Sequence, residues 1–315
     1  MRAYAFLLFF LSHDGDKHEI LIRFFSQMGK SSRDKRDIYY RKAKEEGWRA
    51  RSAYKLLQID DMFRVLHEVR RVIDLCAAPG SWSQVLSRRL YVPAVDAGVP
   101  SEELPKIVAI DLQPMAPIEG VTLLQGDITS SATAAQVISH FDGNQADLVI
   151  SDGAPDVTGL HDLDEYVQSQ LILAALVIVT ATLKHGGTFV AKIFRGRDIG
   201  ILYSQLKLLF TEVTVVKPKS SRNSSIEAFV VCQDFRPPSM GGLSADALSR
   251  LLESKEYDDL LREVDMPEAR MSVPFVACGD LRGFDADASY KLADDPNYEK
   301  RDVLVSPVAG MFSHR

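Results

Sequence analysis

The chain of 315 residues predicts an α/β fold, a mostly parallel sheet covered by helices on both faces and closed by an antiparallel last strand. Three observations predict it. From residue 72 onward, apolar runs of strand length alternate with stretches of helical periodicity. The runs are apolar at consecutive positions, as strands buried on two faces are, without the in-and-out alternation of a sheet that has one wet face. The last two runs, TEVTVVKP and SIEAFVVCQ, are joined by the polar turn KSSRNSS with no helix between them, so they read as an antiparallel pair.

The elements follow in order. VIDLCAA, from residue 72, is a strand, and SWSQVLSRRL, from residue 81, is a helix. KIVAIDL, VTLLQGDI and ADLVISDGAP are strands that end in Asp or run into a turn. EYVQSQLILAALVIVTATLK is a long, largely apolar helix stopped by Gly186 and Gly187; TFVAKIF is then a strand and IGILYSQLKLLF a helix. With the closing pair this makes seven strands. YVPAVDAGVPSEELPK, between the first helix and the second strand, is expected to loop out on the surface.

A composition of 46% hydrophobic and 25% charged residues is ordinary for a globular chain, and the net charge of -6 is unevenly spread. Met28 to Arg71 holds 13 Lys and Arg against 7 Asp and Glu, whereas Asp234 to Arg315 holds 10 against 16. A basic arm ahead of the folded body suits a polyanionic partner. Cys76, Cys232 and Cys278 lie far apart with no CxxC pair, which argues against a disulfide framework or a zinc site and fits a reducing compartment. The opening MRAYAFLLFFL is too short to span a membrane, and it meets His13, Asp14, Asp16 and Glu19 without a small-residue cleavage site. Residues 1–27 are therefore expected to lie outside the fold, with Met28 a second start. The body is expected over 28–235, and an acidic tail over 236–315 begins with the linker RPPSMGG and an amphipathic stretch, SADALSRLLESKEYDDLLREV.

The chemistry concentrates where strands end. Small residues at 77–80 leave a bare strand-to-helix corner, which admits a ligand to the backbone and to the unpaired N–H groups of the next helix. Asp111 is placed to accept from ribose hydroxyls, while the absence of G-x-G-x-x-G leaves no cradle for a pyrophosphate. S-adenosylmethionine, which has none, is the better fit, with Asp127 near the adenine amino group. Lys192 interrupts an apolar strand, so it is expected at the carboxyl end facing the site, with Asp152 as counter-ion. Lys55 and Glu227, each taken alone, read as partners in surface ion pairs.

The segments RARSAYKL, DLCAAPGSWSQ, SDGAP, FVAKIF and KPKSSRNSSIEAF resemble, in order and over roughly 28–235, the FtsJ (RrmJ) family of ribose 2'-O-methyltransferases. The resemblance implies a Rossmann-like class I S-adenosylmethionine-dependent fold. It places the family's Lys-Asp-Lys-Glu catalytic tetrad on Lys55, Asp152, Lys192 and Glu227, and cofactor contacts on Gly80, Trp82, Asp111, Asp127 and Asp152. SDGAPDVTGLHDLDEYVQSQLILAAL and the tail's VPFVACGDL resemble the eukaryotic cytosolic branch, which methylates the tRNA anticodon loop at the wobble nucleotide and two nucleotides before it. That branch implies a cytoplasmic enzyme with separate helper proteins that direct site choice, and no metal or membrane.

In this reading Lys192 takes the proton of the attacking 2'-hydroxyl. Its pKa would have to fall by two to three units from about 10.4, roughly 3 to 4 kcal/mol, helped by burial and by Lys55 as a like charge. Arg33, Lys35, Arg36, Arg41, Lys42, Arg49 and Arg51 are expected on phosphates, with Tyr39, Tyr40 and Trp48 available for stacking or for packing. Three alternatives are weighed: an rRNA ribose methyltransferase, a non-catalytic RNA-binding subunit and a nicotinamide-dependent oxidoreductase. The last gives no reason for Lys192 beside Asp152.

Overall fold

The computed structural model describes residues 37–128, 131–155, 161–196, 199–236 and 273–290. The expected N-terminal extension, Arg33, Lys35, Arg36 and the amphipathic stretch of the tail lie outside these residues.

Two helices lead into the sheet. α1 (Ile38–Glu45) starts at Asp37, whose carboxylate accepts from the N–H groups of Tyr39 and Tyr40. α2 (Ala53–Phe63) ends at Arg64 in a left-handed conformation. The parallel part of the sheet then builds as β1 (Arg71–Leu75), α3 (Ser81–Leu86), α4 (Val92–Asp96), β2 (Lys106–Asp111), β3 (Val121–Gln125), α5 (Ser131–His140), β4 (Ala146–Ser151), α6 (His161–Thr182) and β5 (Leu183–Phe194). α7 (Ile199–Leu209), β6 (Phe210–Pro218), β7 (Glu227–Phe235) and β8 (Phe275–Cys278) complete it.

The strand order is β3-β2-β1-β4-β5-β7-β6-β8. β7 runs antiparallel to both β5 and β6, and the other pairings are parallel. The order reverses between β1 and β4, and the site forms there, at the carboxyl ends of the strands.

One core layer lies between the sheet and α5, α6 and α7, filled by Phe189, Ile193, Leu176 and Phe210 among others. The opposite layer packs Leu56 and Ile59 of α2 and Trp82 and Val85 of α3 against Val72, Val190 and Phe229. Helix α6 is apolar and long enough to cross a bilayer by length and composition, yet Ile172, Ala175, Leu176 and Val179 are buried in the first layer. Successive strand residues face opposite layers, so Lys192, two residues after Val190, projects on the α2–α3 side.

Three features differ from the sequence expectation. The sheet has eight strands among the described residues, because tail residues Phe275–Cys278 pair in parallel with Val215–Pro218 and cover what would be an open edge of β6. The body therefore does not stop at residue 235. A four-residue apolar run carries too little periodicity to show this in advance. The segment 91–106 is no simple loop: α3 passes through a π-helical turn, Ser87–Tyr91, into α4 before a short 3-10 turn at Ser101–Glu103. Finally, α6 ends at Thr182 and β5 starts at the next residue, so Gly186 and Gly187 lie within the long strand, with a register irregularity against β4 between Ala146 and Leu148.

The tight packing of the first layer gives a test. Phe189, fully buried and stacked at 6.2 Å on Phe210, should cost about 3 to 5 kcal/mol when cut to alanine. Urea unfolding of Phe189→Ala measures it.

Candidate active site

Strand geometry brings three of the four tetrad residues together. Asp152 directly follows β4, where Ser151 pairs with Ala191, and this sets Asp152 beside Lys192. Lys192 pairs with Phe229 and Phe194 with Glu227, so the first residue of β7 lies one step beyond the lysine on the adjacent strand. The fourth comes from α2, whose buried face carries Lys55 together with Ala53, Leu56 and Ile59.

The resulting charges alternate. Lys55 Nζ lies 2.7 Å from Glu227 Oε1 and 2.8 Å from Oε2. Lys192 Nζ lies 3.7 Å from Glu227 Oε2 and 2.7 Å from Asp152 Oδ1, and it donates to the Asp152 carbonyl at 2.8 Å. Both lysines are only 8% exposed. Lys55 and Glu227 are thus buried partners, and the expectation of surface ion pairs is corrected: α2 is laid over the strand ends and excludes water from them.

The protonation expected for Lys192 is corrected as well. Burial pulls its pKa down, but Asp152 and Glu227 outweigh burial and hold it above the ordinary lysine value. Lys55 does not act on it as an uncompensated like charge, because Glu227 stands between the two ammonium groups. Burial pushes the Glu227 carboxyl up, and Lys55, Lys192 and the Ser221 hydroxyl overcome this and hold it at about 2.

The corner after β1 is bare, as expected. Cys76 at φ 53 and Gly80 at φ 99 turn the chain into α3. A Cβ on Gly80 would sit 2.7 Å from the Arg49 guanidinium, which lies over the corner and donates to the carbonyls of Pro79 and Pro117 at 3.0 and 2.8 Å. Asp111 ends β2 and braces the turn by accepting from the N–H groups of Ala78 and Gln113, both at 2.8 Å. Asp127 lies half-buried two residues after β3. Trp82, expected at the cofactor, has its ring buried against Phe229, and its indole N–H donates to the Ser52 carbonyl.

Sequence reasoning missed two residues. Asp74, in β1, is fully buried; Oδ2 accepts from Ser83 at 2.5 Å, while Oδ1 has no hydrogen-bond partner. Burial, with Asp152 and Asp111 nearby, raises its pKa to about 7. A buried acceptor with no donor, among three acids at the ends of β1, β2 and β4, suits a cationic ligand that brings its own N–H groups. Gln168 of α6, 2% exposed, donates to the carbonyls of Lys192 at 2.8 Å and Gly153 at 3.1 Å, joining the two strand ends that carry the central ion pair. Asp164, Gln168 and Ile172 recur every four residues on the buried face, a spacing the sequence did contain. The Cys76 thiol is raised to about 12, chiefly by burial, which removes it as a nucleophile near neutral pH.

The basic arm is engaged within the chain. Arg51 is ion-paired to Asp37 and donates to the Ser220 carbonyl. Arg41 donates to the Tyr290 carbonyl at 3.0 Å, and Lys42 lies 4.6 Å over the Phe284 ring. Tyr39 and Trp48 are packed; Tyr40 is half-buried beside Lys44.

The fold and this site define a methyltransferase of the Rossmann-like class. Residues 48–235 match the FtsJ-like methyltransferase family, and the chain belongs to that family. A Schizosaccharomyces pombe protein named tRNA (cytidine(32)/guanosine(34)-2'-O)-methyltransferase is 55% identical over 282 residues, 90% of this chain and 94% of that one. A Homo sapiens protein of the same name is 58% identical over 265 residues, 84% of this chain and 77% of that one. A crystal structure from Plasmodium falciparum, provisionally assigned as a ribosomal RNA methyltransferase, superposes with a TM-score of 0.51 at 27% identity, covering 60% of this chain and 98% of that one.

The raised pKa of Asp74 has a testable sign. Its contribution to stability is complete below the unfolded pKa of 3.8 and is lost as pH rises through about 7. The stability difference between wild type and Asp74→Asn should therefore drift in favour of the variant from pH 4 to pH 7 and level off above. Denaturant melts across that range measure the drift, and a constant difference would contradict the buried neutral carboxyl.

Proposed function

We propose that this chain methylates ribose 2'-hydroxyls of the tRNA anticodon loop, at the wobble nucleotide and two nucleotides before it, with S-adenosylmethionine as donor. The observation that carries the reading is the alternating array Lys55, Glu227, Lys192 and Asp152 at the carboxyl ends of the strands. The names of the 55% and 58% identical relatives support the choice of RNA and position.

The cofactor fits the residues present. Asp74 and Asp111 flank the corner, Gly80 lets a ligand reach the backbone, and Asp127 and Asp152 complete an acidic rim suited to a cation that carries a nucleoside. When bound, S-adenosylmethionine supplies the methyl group on a sulfonium. The chain's task is to hold the ribose hydroxyl in line with that carbon and to receive its proton at Lys192 Nζ as the new O–C bond forms and the S–C bond breaks.

Lys192 must be neutral to act, and in the free site it is held charged. A cation against Asp152 would offset that carboxylate, leaving burial to favour the neutral amine. Lys55 serves by keeping Glu227 charged and fixed, and Glu227 in turn orients Lys192. Gln168 keeps Lys192 and Asp152 in register through their strand ends.

Substrate affinity has to come from more than the arm. Arg41, Lys42, Arg49 and Arg51 are engaged within the chain, and residues 1–233 balance 27 positive against 27 negative residues. This supports separate helper proteins that supply RNA-binding surface, in the cytoplasm where tRNA is available.

Replacing Lys192 by alanine should lower methyl transfer at least about a hundredfold, the usual contribution of a general base. Calorimetric affinity for S-adenosylmethionine should stay close to wild type. Ribose-methylation mapping of cellular tRNA and rRNA should then show loss confined to the two anticodon-loop positions. Retained marks there would refute the role of Lys192, and loss at an rRNA site would favour the rRNA enzyme.

A further inference from the structure

Glu227 is also held by the loop 219–225, at Oε1, while Lys192 lies against Oε2. Ser221 Oγ donates to Glu227 Oε1 at 2.8 Å, and the Glu227 N–H donates to Ser225 Oγ at 3.1 Å. Seven residues rich in serine have little cohesion of their own, and both Ser220 and Ser221 are nevertheless buried. Arg51 and Gln58 hold the loop at Ser220, and the tail holds it on both sides of that point.

The tail grips the loop at both ends. At the start, β8 continues its ladder past Pro218: Lys219 N–H donates to the Cys278 carbonyl at 2.8 Å. Gly279, at φ 97, lets the chain turn tightly against Gln58; a Cβ there would come within 2.8 Å of the Gln58 amide carbon. Gln58 Oε1 in turn accepts from Ser220 N–H and Oγ, both at 2.9 Å. At the far end, Asp287 Oδ2 accepts from the N–H groups of Asn223 at 2.6 Å and Ser224 at 3.3 Å, and Oδ1 accepts from Ser224 Oγ at 3.2 Å. Asp285 fixes Asp287 by accepting its N–H at 2.8 Å, and it also accepts from Asn223 Nδ2 at 3.2 Å. The strap is anchored on α1, where Tyr39 OH donates to the Phe284 carbonyl at 2.9 Å.

We infer that the tail segment Phe275–Tyr290 is a working part of the active site, and that Asp287 is a positioning residue which, through the 219–225 loop and Ser221, sets Glu227 against Lys55 and Lys192. The inference rests on the methyltransferase reading above. A carboxylate on two consecutive backbone N–H groups fixes the direction of the loop where no ladder can, because residues 223 and 224 belong to no strand. Release of that grip frees Ser221 from Glu227, and Glu227 then orients Lys192 less well. Misplacement on this scale is felt in the rate of the aligned step more than in cofactor binding.

The test uses the full chain, isolated from its own cells with its bound partners, and measures methyl transfer to tRNA. Wild-type transfer is measured first: a silent wild type overturns the proposed function and this inference with it, while the remaining outcomes bear on the inference alone. Asp287→Ala is expected to lower kcat about tenfold to a hundredfold, with the KM for S-adenosylmethionine unchanged. Asp287→Asn keeps an oxygen acceptor and should recover most of that loss. Ser221→Ala removes the hydroxyl on Glu227 directly and should reproduce the kcat loss, and combining it with Asp287→Ala should add little, because both act along one line. Wild-type kcat in folded Asp287→Ala would overturn the inference, as would strictly additive effects in the double variant or an Asp287→Asn as slow as the alanine. A lower KM for tRNA at unchanged kcat would also overturn it, since Asp287 would then be an anion competing with RNA phosphate. If Asp287→Ala fails to fold, Ser221→Ala against wild type decides, and full activity there refutes the line of action.

Discussion

Four ionisable side chains of alternating sign, Lys55, Glu227, Lys192 and Asp152, are largely withdrawn from water at one end of the sheet. Desolvating a single ammonium or carboxylate costs several kcal/mol, so each depends on its neighbours in the row. Three of the four come from β4, β5 and β7 or their ends, where adjacent strands lie about 4.8 Å apart and hold side chains within ion-pair reach. The fourth arrives on α2, which also forms the lid that keeps water out. Strand order, the antiparallel entry of β7 and the position of α2 all serve this one arrangement.

The array also sets the resting chemistry. Two carboxylates flank Lys192, and together they overcome the effect of burial, so the free enzyme stores the amine as its cation. Beside it the corner gathers Asp74, Asp111 and Asp152, with one oxygen of Asp74 left without a donor and Cys76 held in a left-handed conformation. These are local penalties that a core built for stability alone would avoid, and they fall together where a cationic ligand would relieve them.

The tail changes how the body is understood. β8 closes the edge of the sheet, and the strap beyond it packs on α1 and the 219–225 loop, where Arg41 donates to the Tyr290 carbonyl and Asp285 lies 3.9 Å from Lys219. Arg41, Arg49 and Arg51, which composition alone assigns to RNA phosphates, donate to carbonyls of the same chain.

Much of this was legible in advance. Continuous apolar runs marked the parallel strands, small residues marked the corner, and a lysine inside TFVAKIF marked the site, because burial of a charge is rare enough to stand out in a linear pattern. The rest was not. Asp74 looked like one more strand residue, since nothing in a sequence shows which carboxylate lacks a donor; VPFVAC was too short to declare itself a strand; and Trp82 gave no sign that its ring would turn inward. The sequence by itself determined the seven strands of the body, the long helices between them and which residue types stand at the strand ends, because periodicity and burial act on neighbours in the chain. Only the tertiary structure decided that Glu227 stands between two lysines, that Lys192 rests protonated and that the tail grips the active-site loop, because pairing and desolvation depend on residues brought together from 55 to 287.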